Sequence, residues 1–93
     1  MFSKLKQFKQ AKELHSKLSG ERTEGSGGWG KVKMTMNGAM EVISVSVDPE
    51  LLTPVSKEKL EAAIKEAGTN AVRSALQIMA KKAQEMGGIA PQQ

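Results

Sequence analysis

The segment from Gly27 to Leu52 constrains the fold of this chain more than any other part of the sequence. It contains two runs in which apolar side chains recur at every second position. In the first run Val32, Met34 and Met36 fall on one face. In the second run one face holds Ile43, Val45 and Val47. Because successive side chains of a strand point to opposite faces of a sheet, each run is predicted to be a β-strand with one apolar face.

Turn signals lie between the two runs and after the second. Asn37-Gly38 separates the runs, and this pair tolerates the positive φ angles of a tight hairpin turn. Asp48-Pro49 follows the second run, where proline cannot donate a hydrogen bond to a strand ladder. The segment is therefore predicted to be an antiparallel hairpin with one buried face and one solvent face.

Helical spacing flanks the predicted hairpin on both sides. Residues 3–18 are predicted to form a helix, since their apolar positions recur at steps of three and four: Leu5, Phe8, Ala11, Leu14 and Leu18. A second helix is predicted from Lys57 to about Glu85, either continuous or broken near Gly68. The composition of residues 21–26 by itself favours a loop. The fold class expected is α+β, with an N-terminal helix, two or three antiparallel strands and a long C-terminal helix.

Chain length predicts one domain, over residues 1–88, followed by a disordered tail at 89–93. A chain of 93 residues that is 39% hydrophobic can form only a thin core. The later half of the second helix carries two apolar stripes, which indicates two buried faces. We therefore expect a homodimer, with these residues at the dimer interface: Val72, Ala75, Leu76 and Met79.

The small set of reactive side chains argues against an enzyme. The chain has no cysteine, one histidine and a single aspartate, so a nucleophile, a base and an orienting group cannot be assembled. No catalytic residue, metal ligand, cofactor or small-molecule substrate is predicted. The N-terminus has no apolar signal-peptide core, and no apolar run approaches the ~20 residues of a membrane span. A cytoplasmic location is expected.

Trp29 is the one large aromatic residue outside the first helix, and it lies between two glycines. An indole in that position could stack on a base or a sugar face. It could equally cover the sheet edge or a partner helix, with its ring buried and its N–H hydrated. The packing interpretation is favoured from the sequence.

The net charge of +4 is concentrated in the first helix. Residues 1–19 contain a single glutamate, Glu13, and five lysines: Lys4, Lys6, Lys9, Lys12 and Lys17. Such clustering predicts a polyanionic partner, with Arg22 as the nearest arginine. Lysine without arginine favours phosphate contact over base recognition. An ordinary solvated surface, an anionic membrane and an acidic protein groove are the alternatives for the same helix.

Several parts of the sequence together resemble the YbaB/EbfC family of bacterial nucleoid-associated proteins. They are a valine-and-lysine strand before Asn37-Gly38, a valine-rich strand ending in Val47-Asp48-Pro49-Glu50-Leu51-Leu52, Lys9-Gln10-Ala11 in a basic helix, the glycine-rich run at 24–28 and an alanine-rich last helix. The resemblance implies a short edge strand at residues 21–26. It also implies a dimer whose basic helices project as paired arms, duplex DNA binding with little sequence preference, and a location at the nucleoid. A scaffold or adaptor protein, or a peripheral membrane protein, is the alternative; membrane binding is the less expected because the helix leucines are needed for packing.

Overall fold

The computed structural model describes the backbone of residues 2–86 and the side chains of residues 6–85. The elements in order are α1 (Phe2–Ser19), β1 (Thr23–Gly27), β2 (Val32–Met36), β3 (Val42–Val47) and α2 (Lys57–Met86). Two short 3-10 turns, Pro49–Leu51 and Pro54–Ser56, connect β3 to α2. The predicted α+β order is confirmed, and the predicted tail at 89–93 lies outside the described residues.

The three strands form one antiparallel sheet in the order β1-β2-β3. Val32 pairs with Val47 and Met34 with Val45, so the apolar faces predicted for β2 and β3 coincide. The register shifts between Thr35 and Met36, because Met36 pairs with Val42 and leaves Ile43 as the extra residue of a β-bulge. Ile43 therefore departs from the predicted alternation.

Helix α2 packs on the apolar face of the sheet, over β1 and β2. Val32 and Met36 are buried against a stripe of small residues on α2: Ala63, Ala67, Ala71 and Ala75. The helix is continuous over 30 residues, with no break at Gly68. At 1.5 Å per residue it is about 45 Å long, which exceeds the width of the sheet that it covers.

Strand β1 contacts α2 through its backbone. Gly25 and Gly27 are buried, and a Cβ at Gly25 would lie 2.5 Å from the carbonyl oxygen of Ala67. A Cβ at Gly27 would lie 2.8 Å from the amide nitrogen of the same alanine. The loop expected from composition is therefore wrong, and the edge strand implied by the family resemblance is present at Thr23–Gly27.

The β2–β3 turn differs from the predicted two-residue turn. The amide of Asn37 donates to the carbonyl of Glu41 at 3.0 Å, which encloses residues 37–41 in a longer loop. The side-chain oxygen of the buried Asn37 accepts from the amides of Ala39 and Glu41, each at 2.9 Å. Positive φ occurs at Met40 (66°) rather than at Gly38. The turn is thus organised by the asparagine side chain, as in an Asx-turn.

Gly38 has a packing role instead of a conformational one. Its amide donates to the carbonyl of Leu18 at 2.9 Å, at the end of α1. A Cβ at this position would lie 2.9 Å from Cδ2 of Leu18 and 3.1 Å from Cγ2 of Ile78 in α2. This close approach joins the end of α1, the β2–β3 turn and the later half of α2.

The rest of α1 extends away from the sheet. Leu18 is buried and Leu14 is half-buried, whereas Ala11 and Phe8 are exposed. The chain consequently measures 59 × 23 × 17 Å, with a radius of gyration of 17.2 Å. A compact domain of this length would have a radius of gyration of about 12 Å. Among the described side chains of α1, the apolar stripe is therefore docked on the chain only around Leu14 and Leu18.

Candidate nucleic-acid interface

The lysines of α1 lie on an exposed surface. Four of them have described side chains, and all four are exposed: Lys6, Lys9, Lys12 and Lys17. The side chain of Lys4 lies outside the described residues. Lys9, Lys12 and Lys17 line the same shallow depression together with Glu13 and Ser16. We call this surface the lysine face, defined by Lys6, Lys9, Lys12 and Lys17.

No lysine of the lysine face is neutralised by an ion pair among the described residues. The ion pairs found there involve Lys31, Lys57 and Lys82. Lys82 of α2 lies 3.4 Å from carboxylate oxygens of both Glu21 and Glu85. The hydrogen bond to Glu21, followed by the charges of the two glutamates, raises the pKa of Lys82 above its usual value. The lysine face is thus the main unpaired positive surface of α1, and Lys82 is not free to extend it.

Arg22 lies just beyond the lysine face and contacts the end of α1. Its Nη1 atom donates to the carbonyl oxygens of Ser19 at 2.9 Å and Glu21 at 2.8 Å. A cation at this end of a helix is favourable because the last carbonyls are unpaired and carry partial negative charge. The side chain is exposed, so its remaining N–H groups face solvent.

The lysine face is long enough to span several phosphates of a duplex. From Lys6 to Lys17 the helix rises about 16 Å at 1.5 Å per residue. Along the axis of a duplex each strand has one phosphate per about 3.4 Å, so about 16 Å of axis contains about five phosphates of one strand. The lysines are flexible point charges with three donors each, which suits contact with phosphate oxygens in varied positions.

The residues expected at a dimer interface occupy two different environments. Ala75 is 0% exposed, in the core between α2 and the sheet, and Met79 lines a groove beside α1. Val72 and Leu76 are exposed on the adjacent stripe of α2. Sequence reasoning missed two further residues that remain exposed in the chain, Val45 of β3 and Ile64 of α2. The sequence contains a signal for both residues, because Val45 lies on the apolar face predicted for the second strand and Ile64 precedes Val72 by eight residues on a predicted helix.

These four residues define what we call the uncovered apolar face: Val45, Ile64, Val72 and Leu76. Each is 37% to 51% exposed. The face exists because α2 covers β1 and β2 and leaves β3 beside it, with every β3 residue except Val47 exposed. Contiguous exposed apolar surface is unusual on a small chain, so this face is a candidate interaction site.

Trp29 does not cover the sheet edge. It is fully exposed (102%) at the β1–β2 turn, with a φ of 60°. Its neighbours Gly28 and Gly30 also have positive φ, and the amide of Lys31 donates to the carbonyl of Gly28 at 3.2 Å. His15, the one histidine of the sequence, is exposed at the rim of the groove between α1 and α2.

The described residues show neither a metal-binding cluster nor a membrane-spanning helix. Among residues 6–85, no group of three or more His, Asp or Glu side chains is placed to hold a metal ion. Neither helix, over its described length, has an apolar stretch long enough to cross a bilayer. The fold and the lysine face together define a small α+β protein that presents a basic helix.

Comparison with known proteins places this chain among bacterial relatives. The family model for the YbaB/EbfC DNA-binding family matches residues 1–90, and the chain belongs to that family. It is 39% identical over 84 residues to a nucleoid-associated protein of Beijerinckia indica, covering 88% of this chain and 83% of the relative. It is 38% identical over 88 residues to a nucleoid-associated protein of Gloeobacter violaceus, covering 90% and 78% respectively.

A solved structure supports the fold. The crystal structure of an uncharacterized protein from Helicobacter pylori superimposes with a TM-score of 0.71. The match covers 86% of this chain and 93% of the other, at 21% sequence identity. The fold of this chain is therefore shared with an experimentally determined structure.

Proposed function

We propose that this protein is a nucleoid-associated protein that binds duplex DNA as a homodimer, with little sequence preference. The lysine face carries this proposal, because it is an exposed row of unpaired cations on a helix that projects from the fold. The proposed mechanism is neutralisation of backbone phosphates by lysines, with release of the cations condensed on the DNA. Membership of a DNA-binding family supports the choice of DNA over other polyanions.

Low sequence preference follows from the donors available. Half or more of protein–DNA hydrogen bonds go to phosphates and sugars, and these contacts contain no sequence information. The bidentate recognition of guanine is mainly a task for arginine, and the lysine face contains none. Arg22 is partly engaged by the end of α1. We therefore propose it as a supporting phosphate contact.

The double substitution Lys6→Gln/Lys9→Gln tests this mechanism by gel shift. It removes up to four contacts from a dimer, and each lost phosphate contact reduces the slope of log affinity against log salt by about 0.9. Binding should weaken equally for unrelated duplex sequences. Both side chains are exposed, so the melting temperature should change little.

The matched control is Lys57→Gln/Lys65→Gln on α2. It makes the same change of charge far from α1. Measured along α2, Lys57 lies about 31 Å and Lys65 about 20 Å from Ile78, the residue near which the end of α1 is docked. If this control weakens duplex binding as much as the α1 pair does, the lysine face is not the DNA-binding surface. If neither pair changes the affinity, phosphate contact is the wrong mechanism.

The homodimer is proposed to form through the uncovered apolar face. Light scattering on a sizing column should give about twice the chain mass of 10.0 kDa. Leu76→Glu should yield a folded monomer, since Leu76 is already 47% exposed in the single chain. Ala75→Glu should unfold the chain instead, because it places an unpaired charge in the core. A wild-type monomer at micromolar concentration would contradict the dimer.

A further inference from the structure

Trp29 is presented to solvent by a turn with unusual backbone geometry. Gly28, Trp29 and Gly30 have consecutive φ angles of 61°, 60° and 83°. A bulky residue at positive φ is a backbone outlier, and such strain persists only where the surroundings hold it. Here Glu66 of α2 holds the turn, since its Oε1 atom accepts a hydrogen bond from the amide of Gly28 at 2.9 Å. The backbone that carries the indole is thus held in place, while the ring remains exposed to solvent.

A cleft of about 400 Å³ lies beside the indole, between the β1–β2 turn and the first turns of α2. We call it the Trp29 cleft. Its lining includes the apolar side chains of Leu51 and Ala63, the cationic side chains of Lys31 and Lys59, and Glu66, whose carboxylate already accepts from the amide of Gly28. Pockets for small ligands are commonly of this size, roughly 300–1,000 Å³, with an apolar lining and a few polar groups.

The cations of the Trp29 cleft are available to an anion. Lys59 is exposed and forms no ion pair among the described residues. Lys31 lies 3.2 Å from Glu50, and both side chains of this pair are more than a third exposed. Exposed pairs of this kind contribute little to stability, so a phosphate can replace Glu50 as the partner of Lys31. This arrangement suits a nucleotide, because a base can stack on the aromatic face while its phosphate contacts the two lysines.

We propose that the Trp29 cleft binds an unpaired nucleobase, stacked on the indole of Trp29, with the adjacent phosphate contacted by Lys31 and Lys59. This site extends the proposed function and rests on it, because it adds single-stranded or locally opened DNA to the duplex bound by the lysine face. The two surfaces are separate. Strand β1, about 17 Å long, begins near the end of α1 and ends at the Trp29 turn. One protein can thus hold a duplex and an unpaired strand at opposite ends of its sheet.

Trp29 provides its own reporter for the test. It is the single tryptophan of a chain that has no tyrosine, so the tryptophan emission reports on this position alone. We expect an oligothymidine of about 12 nucleotides, within the usual site size of single-strand binders, to quench the emission at low salt. Stacking of one base contributes enough that Trp29→Gly should lower the affinity for this oligonucleotide roughly 5- to 150-fold.

The variants separate stacking from folding. Glycine adopts positive φ without strain, so Trp29→Gly should fold at least as well as the wild type. Trp29→Phe should regain most of the oligothymidine affinity, since it restores an aromatic face. Duplex affinity in gel shifts should stay within about twofold in both variants, because distant sites act independently. Lys59→Gln should weaken oligothymidine binding and make it less dependent on salt.

Each other outcome contradicts the site. If oligothymidine leaves the tryptophan emission unchanged while the duplex still binds, the Trp29 cleft is not a nucleobase site and the proposed function is unaffected. Failure of both oligothymidine and duplex to bind removes the site and the proposed function together. A blue shift that grows with protein concentration in the absence of DNA would mean that Trp29 contacts a second copy. A blue shift with anionic phospholipid vesicles, and none with DNA, would make it a membrane contact.

Discussion

Gly25→Ala is expected to destabilise this protein more than any single substitution on its surface. The new methyl group would lie 2.5 Å from the carbonyl oxygen of Ala67 and in direct overlap with the backbone of Ala71. Neither partner is a flexible side chain, so β1 and α2 must separate along their length. Overpacking of this kind costs about 3 kcal/mol or more, a large share of the stability of a small domain. Thermal denaturation followed by circular dichroism should show a melting temperature lower by roughly 12–24 °C.

Gly20→Ala is the control for this prediction. A Cβ at Gly20 would have its nearest neighbour, the carbonyl oxygen of Lys17, at 3.6 Å, which is ordinary van der Waals contact. The stability should therefore change by no more than about 0.5 kcal/mol. Equal melting temperatures for the Gly20 and Gly25 variants would mean that β1 does not pack on α2 through its backbone.

Duplex affinity is expected to fall by three to four orders of magnitude between 50 and 200 mM salt. This estimate takes about 6–8 phosphate contacts from the two lysine faces of a dimer, each contributing a slope of about 0.9 in log affinity against log salt. No other single change of condition should have so large an effect. Fluorescence anisotropy of a labelled duplex, titrated at several salt concentrations, measures the slope directly.

Two comparisons make the salt titration specific. Circular dichroism over the same salt range should show a constant fold, since no charged pair is buried in the described part of the chain. A duplex of unrelated sequence should give the same slope, because phosphates are common to both. A slope near zero would contradict counterion release as the source of affinity, even if the protein binds DNA.

The parts of the fold that could be predicted from sequence are those governed by periodicity. The alternation at Val32, Met34 and Met36 correctly placed the buried face of β2, and helical spacing located α1 and α2. Strand β1 could not be predicted from its own residues. Gly25 and Gly27 have low strand propensity, and they are suited to this strand only because the helix backbone lies against them.

The β2–β3 turn and the exposure of Trp29 also could not be predicted from local sequence. Asn-Gly is a strong hairpin signal, yet the side chain of Asn37 bonds two amides of a longer loop, which selects a different turn. A tryptophan is buried on average, whereas Trp29 is exposed on a turn whose Gly28 amide donates to Glu66, 38 residues away in the sequence. For the candidate site, the cluster of lysines was visible in the sequence. The sequence could not show that these lysines form no ion pairs among the described residues, or that α1 projects from the sheet.

The attachment of α1 by its last turn has a thermodynamic consequence. An isolated helix of about 12–15 residues is marginal in water, and the segment from Lys6 to Lys17 receives little support from the sheet. Lysines three residues apart on this helix also repel one another. A bound polyanion removes that repulsion and so favours the helix, while part of the binding energy is consumed in ordering whatever fraction of α1 is frayed in the free protein. Alanine at the exposed Ser16, a better helix former by a few tenths of a kcal/mol, would therefore tighten binding by preorganising α1 without changing its charge.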